Sequence, residues 1–286
     1  MIKIALKNIK LLAFLNKLPI LNYFFILKID KNFASIRTNA VLEKFYTDIY
    51  AQNKTSKRTA DKRFADIDKI TLKYLSPVNK NTIHDIAVSS GITSDNLYEL
   101  LQKNNIPFGL DISDKYALIY VKEGFISKIF DADKNLFFAY LGNLFAGDKN
   151  IFFPITVFLY KLIKKLNNTT DFDYSLYLFH PDVLKKINEK KINIVEYDIF
   201  KTPLNDKYTF VRCMNILNKG YFSDKELITG IKNIKNSLKE NGVFLIGRTN
   251  SKGINNVSFF KKTESGFVCL EDVNQGSEVK NLVLKA

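Results

Sequence analysis

The stretch from Lys191 to Thr249 constrains the fold more than any other part of the chain. It reads as two strands, a helix of mixed polar and apolar residues, a Glu-Asn-Gly turn and a further strand. The last two strands are apolar almost throughout, which is typical of strands buried on both faces of a parallel sheet. The predicted elements are a strand at Asn193–Tyr197, a strand at Tyr208–Met214, a helix at Asp224–Lys239, a helix cap at Gly242 and a strand at Val243–Gly247.

A second unit of the same kind lies upstream. It comprises a strand at Thr82–Val88, a Ser-Ser-Gly turn, a helix at Thr93–Asn104 with Thr93 or Ser94 as its N-cap, and a strand at Pro107–Ser113. Together the two units predict an α/β, Rossmann-like fold with a mostly parallel seven-stranded sheet and helices on both faces. In open sheets of this kind, ligands bind at the carboxyl ends of the strands.

The rest of the chain is predicted to add to this domain. Residues 76–286 form the α/β domain, and residues 1–75 form a helical N-terminal extension or lid. An insertion at about 115–170 follows the second strand, with a hairpin that turns at a Glu-Gly pair and an apolar helix at 151–166. The C-terminal run KNLVLKA is predicted to be a strand.

Charge leaves several partners open. The net charge is +14 and the isoelectric point about 9.5, which favours RNA, anionic lipid or an acidic substrate. A Lys-rich and Ile-rich composition explains the same charge with no partner at all. Lysines at 3, 7, 10 and 17 would share one face of an N-terminal helix, so residues 1–29 either touch a membrane surface or pack on the domain.

Cys213 and Cys269 lack metal-ligand spacing, so we expect buried free thiols and a cytoplasmic protein.

Two common nucleotide sites are excluded by their missing motifs. The first strand is followed by Ala-Val-Ser-Ser-Gly and not by the G-x-G-x-x-G of dinucleotide-binding enzymes. No G-x-x-x-x-G-K-[ST] phosphate loop occurs either. His84 and His180 are the only histidines and form no metal-ligand cluster, so no metal is expected.

The loop after the first strand resembles that of class I S-adenosylmethionine (SAM) dependent methyltransferases. In that family the loop has the form D-x-G-x-G-x-G, in which glycine allows close backbone approach to the ligand. Here Asp85 and Gly91 match, while Ala87 and Ser89 stand at the other two glycine positions. The resemblance covers roughly residues 82–286 and implies that these four residues hold SAM.

Three further segments extend the resemblance. Asp111, with Ile112 beside it, stands at the family's ribose-binding position, and Asp198, with Ile199, stands at the position beside the adenine. The segment FVRCMNILNKGYFSD is similar to one in chemoreceptor glutamate methyltransferases, which implies that Asn215 and Tyr221 border the acceptor pocket.

The expected function is therefore SAM-dependent methyl transfer. The expected acceptor is a small molecule or a lipid, with RNA or a protein carboxylate as alternatives. Thr209, where the family often has Asp, and the altered glycine positions favour a second hypothesis, a non-catalytic binding or scaffold protein with the same fold.

Overall fold

A computed structural model describes residues 2–49, 60–148, 154–201 and 204–286. The chain divides into two compact units, and neither is continuous in sequence. The first combines residues 1–60 with 116–185, and the second combines residues 61–115 with 186–286. The N-terminal residues and the insertion thus belong to one unit, whereas the sequence predicted two separate additions.

The helices and strands are as follows in chain order. The first segment contains β1 (Ile4–Leu6), α1 (Ile9–Leu15), β2 (Phe25–Leu27) and α2 (Asn39–Asp48). Next come α3 (Ala65–Thr71), β3 (Asn81–Ile86), α4 (Ile92–Lys103) and β4 (Phe108–Ser113). The insertion contains β5 (Leu118–Lys122), β6 (Ile126–Phe130), β7 (Leu136–Leu141), β8 (Leu144–Gly147), α5 (Pro154–Lys165) and β9 (Tyr174–Tyr177). The last segment contains α6 (Pro181–Asn188), β10 (Ile192–Ile194), β11 (Tyr208–Met214), α7 (Asp224–Ser237), β12 (Leu238–Thr249), β13 (Asn255–Thr263), β14 (Gly266–Val273) and α8 (Lys280–Val283).

The second unit is built on a seven-stranded sheet of order β10-β4-β3-β11-β12-β13-β14. The first five strands run parallel, and β13 and β14 complete the sheet as an antiparallel meander. This confirms the predicted α/β class with a mostly parallel sheet, and the insertion does follow the second parallel strand. The central strand β11 has six buried residues of seven, as its apolar sequence requires.

Helices cover both faces of this sheet. On one face Val211 and Phe244 pack with Ile231 and Ile234 of α7 in a single core that also includes α8. On the other face, Arg212 of β11 contacts α3 and α4 through hydrogen bonds. Side chains alternate between the faces along each strand, so the two faces can hold different chemistry.

The ends of α7 are fixed by local polar groups. Ser223 and Glu226 form a reciprocal capping box at its start. The helix ends at Ser237 and β12 begins at the next residue, and the left-handed residue near this junction is Asn241 of β12, with φ 64°. The prediction that Gly242 is the left-handed cap is therefore wrong. Gly242 is needed for space instead, because a Cβ there would lie 2.8 Å from the carbonyl oxygen of Lys239.

The first unit contains a second seven-stranded sheet, of order β2-β1-β8-β7-β6-β5-β9. One face carries a core shared with α1 and α2, and the other face carries a core with α5. The predicted helical N-terminal extension does contain α1, α2 and α3, but residues 4–6 and 25–27 pair as parallel strands, which the prediction did not include. Lys3 is correspondingly buried and pairs with Asp48, and is not on a solvated helix face. Burial lowers the pKa of Lys3.

In the insertion and the C-terminal tail, some predicted elements are present and others are different. The predicted hairpin is β5–β6, which turns at residues 123–125. The described part of the apolar helix is Pro154–Lys165, and residues 151–153 lie outside the described part of the chain. The KNLVLKA run is the helix α8 and not a strand, while β13 has no counterpart in the prediction. Both cysteines are free thiols, and only Cys213 is fully buried.

Candidate cofactor-binding site

Four neighbouring parallel strands of the second unit end at the same edge of its sheet. These are β10, β4, β3 and β11. The carboxyl edge of such strands is the usual ligand site of open α/β sheets. The segments that leave it are residues 87–91 after β3, Asp114 after β4, Asp198 after β10 and Asn215 after β11.

The loop after β3 has an unusual backbone. Ala87 (φ 59°), Ser89 (φ 59°) and Gly91 (φ 76°) all adopt left-handed conformations. For a residue with a Cβ this region costs roughly 1–2 kcal/mol, so the surroundings must hold Ala87 and Ser89 in it. These three are the positions at which the resembled family has glycine, and the loop therefore keeps the backbone that glycine would favour. Gly91 is also the N-cap of α4, so the prediction of Thr93 or Ser94 in that role is wrong.

Contacts from β4 hold this loop in place. The carboxylate of Asp114 accepts a hydrogen bond from the Ser89 N–H at 2.7 Å. The Val88 N–H donates to the carbonyl of Ser113 at 3.2 Å. Asp114 is the acid that directly follows β4, three residues after Asp111, to which the family resemblance assigns the ribose position.

Asp85 is the penultimate residue of β3, just before the loop. It is 3% exposed, and it accepts hydrogen bonds from Arg212 at 2.9 Å and 2.5 Å and from the Ser94 hydroxyl at 2.5 Å. Arg212 stands opposite Asp85 in the β3–β11 register, which brings the two side chains together. The structure therefore gives Asp85 a positioning role, since it joins β3, α4 and β11 directly below residues 87–91.

Arg212 carries a second buried carboxylate, Asp68 of α3. One guanidinium thus stands between two carboxylates, and the Thr93 carbonyl accepts a further hydrogen bond from it at 3.0 Å. Burial raises the pKa of Asp68 to about 6, although Arg212 beside it acts in the opposite direction. Burial disfavours the charge of Arg212, but Asp85 and Asp68 more than offset this and raise its pKa. An arginine inside an otherwise apolar strand was the sequence signal for this cluster, because a buried charge needs partners.

Asp111 lies away from the carboxyl edge. It stands opposite His84 in mid-strand, on the face that α7 covers. Its carboxylate accepts hydrogen bonds from Lys207 at 2.8 Å, Tyr208 at 2.9 Å and Asn193 at 3.1 Å. Burial alone would raise the pKa of Asp111, but these three donors hold it below its usual value. The structure does not bring Asp111 together with the loop after β3.

The residues predicted beside the adenine divide between surface and core. Asp198 accepts a hydrogen bond from the Phe200 N–H at 3.0 Å and lies 3.6 Å from the Lys115 ammonium. It remains part of the edge, in the turn after β10. Ile199 is buried in the core under α7, and Ile112, which was predicted at the ribose position with Asp111, is buried in β4.

Of the two residues predicted to border the acceptor, Asn215 is held by hydrogen bonds to β12 and Tyr221 is exposed. Asn215 has φ 64°; its N–H donates to the Gly247 carbonyl at 2.8 Å, and its side-chain oxygen accepts from the Thr249 N–H at 2.7 Å. It therefore ties the end of β11 to β12. Tyr221 is 53% exposed and lies in the segment between β11 and α7.

His84 is the histidine of the second unit, and it is buried within β3. Burial lowers the pKa of His84 to about 4, and its Nε2 lies 2.8 Å from the Ser113 hydroxyl, so the ring is neutral at physiological pH. Within the described ranges, no cluster of His, Cys, Asp or Glu could hold a metal ion.

No family model matches the chain, and no curated protein matches it. Among solved structures, a protein of Pyrococcus horikoshii OT3 is 14% identical with a TM-score of 0.39, and 84% of each chain is covered. A SAM-dependent methyltransferase from Aquifex aeolicus is 11% identical with a TM-score of 0.33, over 67% of this chain and 69% of that one. A SAM-dependent methyltransferase from Methanosarcina mazei is 13% identical with a TM-score of 0.31, over 62% of this chain.

This chain spans 55% of the length of the Methanosarcina mazei protein. All three TM-scores are below 0.5, so similarities of this size decide neither the family nor the activity. The α/β class rests on the strand order itself, and the resemblance to chemoreceptor methyltransferases rests on the sequence alone.

Proposed function

We propose that the second unit binds S-adenosylmethionine at the carboxyl edge of β10, β4, β3 and β11 and transfers its methyl group. The observation that carries the proposal is the loop at residues 87–91, which takes left-handed conformations at all three glycine positions of the methyltransferase pattern. A methyl group and a hydroxymethyl group are the only side chains added there, at Ala87 and Ser89. A ligand can therefore still approach this backbone closely.

Each residue of the edge has a task in this proposal. Asp114 lies next to the loop, and its carboxylate accepts hydrogen bonds from the ribose hydroxyls, which are charge-assisted contacts. Asp198 lies on the adenine side, and Asn215 and Tyr221 lie on the acceptor side. Asp85 and Arg212 position the loop from below, and Asp111 stabilises the strands β10, β4 and β11.

The chemistry requires little from side-chain acids and bases. SAM supplies an electrophilic methyl group on a sulfonium. The protein has to align the acceptor with that group and exclude water, and orientation of this kind lowers a barrier strongly. A site whose nearby histidine is neutral and hydrogen-bonded is consistent with such a reaction.

Calorimetric titration of SAM and its demethylated product into the full chain tests the proposal. We expect micromolar binding that Asp114→Ala weakens at least about tenfold through the loss of a charge-assisted bond. Asp111→Ala is the matched control, because it removes an aspartate three residues away in β4. This variant should lower the unfolding free energy of the second unit and leave the affinity for SAM unchanged. Equal losses in the two variants would refute the assigned site. No binding at millimolar SAM would refute the function and favour the non-catalytic alternative.

The acceptor class can be found with the same protein. We propose a small molecule or a lipid as acceptor and RNA as the alternative. Release of the demethylated product is measured with small-molecule, lipid, protein and RNA fractions in turn. Turnover with one fraction that is lost in Asp114→Ala would identify the class, and turnover with the RNA fraction alone would overturn the first choice.

A further inference from the structure

The helix α5 of the first unit exposes a continuous apolar stripe. Ile155, Phe158 and Leu162 of α5 are 44%, 65% and 42% exposed, and Leu166, which directly follows the helix, is 68% exposed. Their spacing of three or four residues places them on one side of the helix. Single exposed apolar residues are common on protein surfaces, but a run of four large ones along one helix side is not.

A different side of α5 attaches the helix to its sheet. Thr156, Tyr160 and Ile163 are buried, and the Tyr160 hydroxyl donates to the Leu136 carbonyl of β7 at 2.8 Å. The exposed stripe therefore makes no contribution to this packing. It is an additional apolar surface on a helix that is already anchored.

Cations accompany the stripe. The helix carries Lys161, Lys164 and Lys165, and the sequence from 154 to 166 contains no acidic residue. Lys161 and Lys165 follow Phe158 and Leu162 by three residues, which places each ammonium beside a member of the stripe. Across the described part of the chain, no carboxylate forms an ion pair with these three lysines.

We propose that α5 docks the protein on an anionic lipid surface. The stripe would enter the boundary between headgroups and acyl chains, and Lys161 and Lys165 would face the lipid phosphates and carboxylates. Lys164 lies instead over the ring of Tyr160, 5.9 Å from its centroid. A second copy of this chain fits the surface less well, because apposed helices would bring two uncompensated rows of lysines together. The twelve residues of α5 lie on the membrane in this proposal, and no helix in the described ranges is long and apolar enough to cross one.

The proposal is independent of the proposed methyl transfer, since it concerns the other unit. The test is co-sedimentation of the full chain with phosphatidylcholine vesicles, with and without phosphatidylserine. We expect binding that requires phosphatidylserine. Phe158→Ser should lower the partition coefficient by about tenfold or more. Replacing Lys161 and Lys165 by Gln should lower it by about fivefold per lysine, and the effect should shrink at high salt.

Two variants serve as controls for surface aromatic residues in general. Phe125, in the turn of the β5–β6 hairpin, is 79% exposed, so Phe125→Ser should bind like the wild type. Phe14 of α1 is 60% exposed and represents the N-terminal surface considered from the sequence. All three phenylalanines are exposed, so none of these changes should unfold the protein. Circular dichroism spectra of the variants check this expectation.

Three results would overturn the proposal. One is binding that Phe158→Ser leaves intact or that Phe14→Ser abolishes equally. Another is binding that does not depend on phosphatidylserine. The third is a concentration-dependent dimer, seen by sedimentation equilibrium, that Phe158→Ser disperses, because the occupant of the stripe would then be a second copy of the chain.

Discussion

The cluster of Arg212 with Asp85 and Asp68 should leave a measurable mark on the pH dependence of stability. Asp68 is 2% exposed, and its pKa of about 6 lies well above its ordinary value of 3.8. A carboxyl group whose folded-state pKa is raised contributes stability at low pH and loses that contribution as the pH rises through the folded value. The window for Asp68 therefore runs from about pH 4 to about pH 6.

The magnitude follows from the size of this shift. About two pKa units at 1.36 kcal/mol each correspond to about 3 kcal/mol. Asp68→Asn keeps the shape of the side chain and an oxygen that can accept from Arg212, but it does not titrate. The free energy of unfolding of the wild type minus that of the variant should therefore fall by about 2 kcal/mol between pH 4 and pH 7, because part of the change is complete at pH 4.

Urea unfolding of both proteins across this range, followed by circular dichroism, measures the difference. Subtraction cancels every group that titrates alike in the two proteins. Arg212→Met serves as the companion variant: it leaves both carboxylates without their cation and should destabilise the protein by about 3–5 kcal/mol at neutral pH. A difference between wild type and Asp68→Asn that stays flat from pH 4 to pH 7 would refute the reasoning, since Arg212 would then fully compensate the burial of Asp68.

Three further changes follow from local geometry. Gly247→Ala places a Cβ 2.3 Å from the Asn256 carbonyl oxygen of β13, so we expect a loss of about 1–3 kcal/mol in unfolding free energy; an unchanged melting temperature would contradict this. Ser223→Ala removes one half of the capping box with Glu226 and should destabilise α7 by about 1 kcal/mol, measured by urea unfolding against Thr229→Ala, a matched hydroxyl loss inside the same helix. Ala87→Val puts a β-branched side chain at φ 59°, so SAM binding should be lost in calorimetry while circular dichroism stays native; retained affinity would show that the left-handed turn is dispensable.

The parts of the fold that could be predicted are those with strong local signals. The strand Tyr208–Met214 and the start of α7 at Asp224 agree with the prediction to the residue. An apolar run bounded by turn residues specifies a buried strand, and Ser-x-x-Glu specifies a helix start. Both signals lie within a few residues of the element that they describe.

The missed parts depend on contacts that are distant in sequence. Strands β1 and β2 are three residues long and gain their identity only by pairing with each other and with β8. Asp111 and Asp114 are three residues apart, and their different roles follow from where β4 ends and from what β10 and β11 place beside it. Arg212 and Asp68 are 144 positions apart, so the sequence could indicate that the arginine needs a partner but not which one.

The interleaving of the two units has a consequence for synthesis on the ribosome. A nascent chain that has reached residue 115 has made β1 and β2 but not β8, and β3 and β4 but not β11. Both sheets are then open at an edge, and unpaired edges invite aggregation. The sheet of the first unit can be completed only after about residue 177 has been made. The strands β3 and β4 of the second unit gain their neighbour β11 only after that strand has emerged. No single cut in the gene separates the two units, so fragments of this protein have to be made by excising the insertion together with the N-terminal segment.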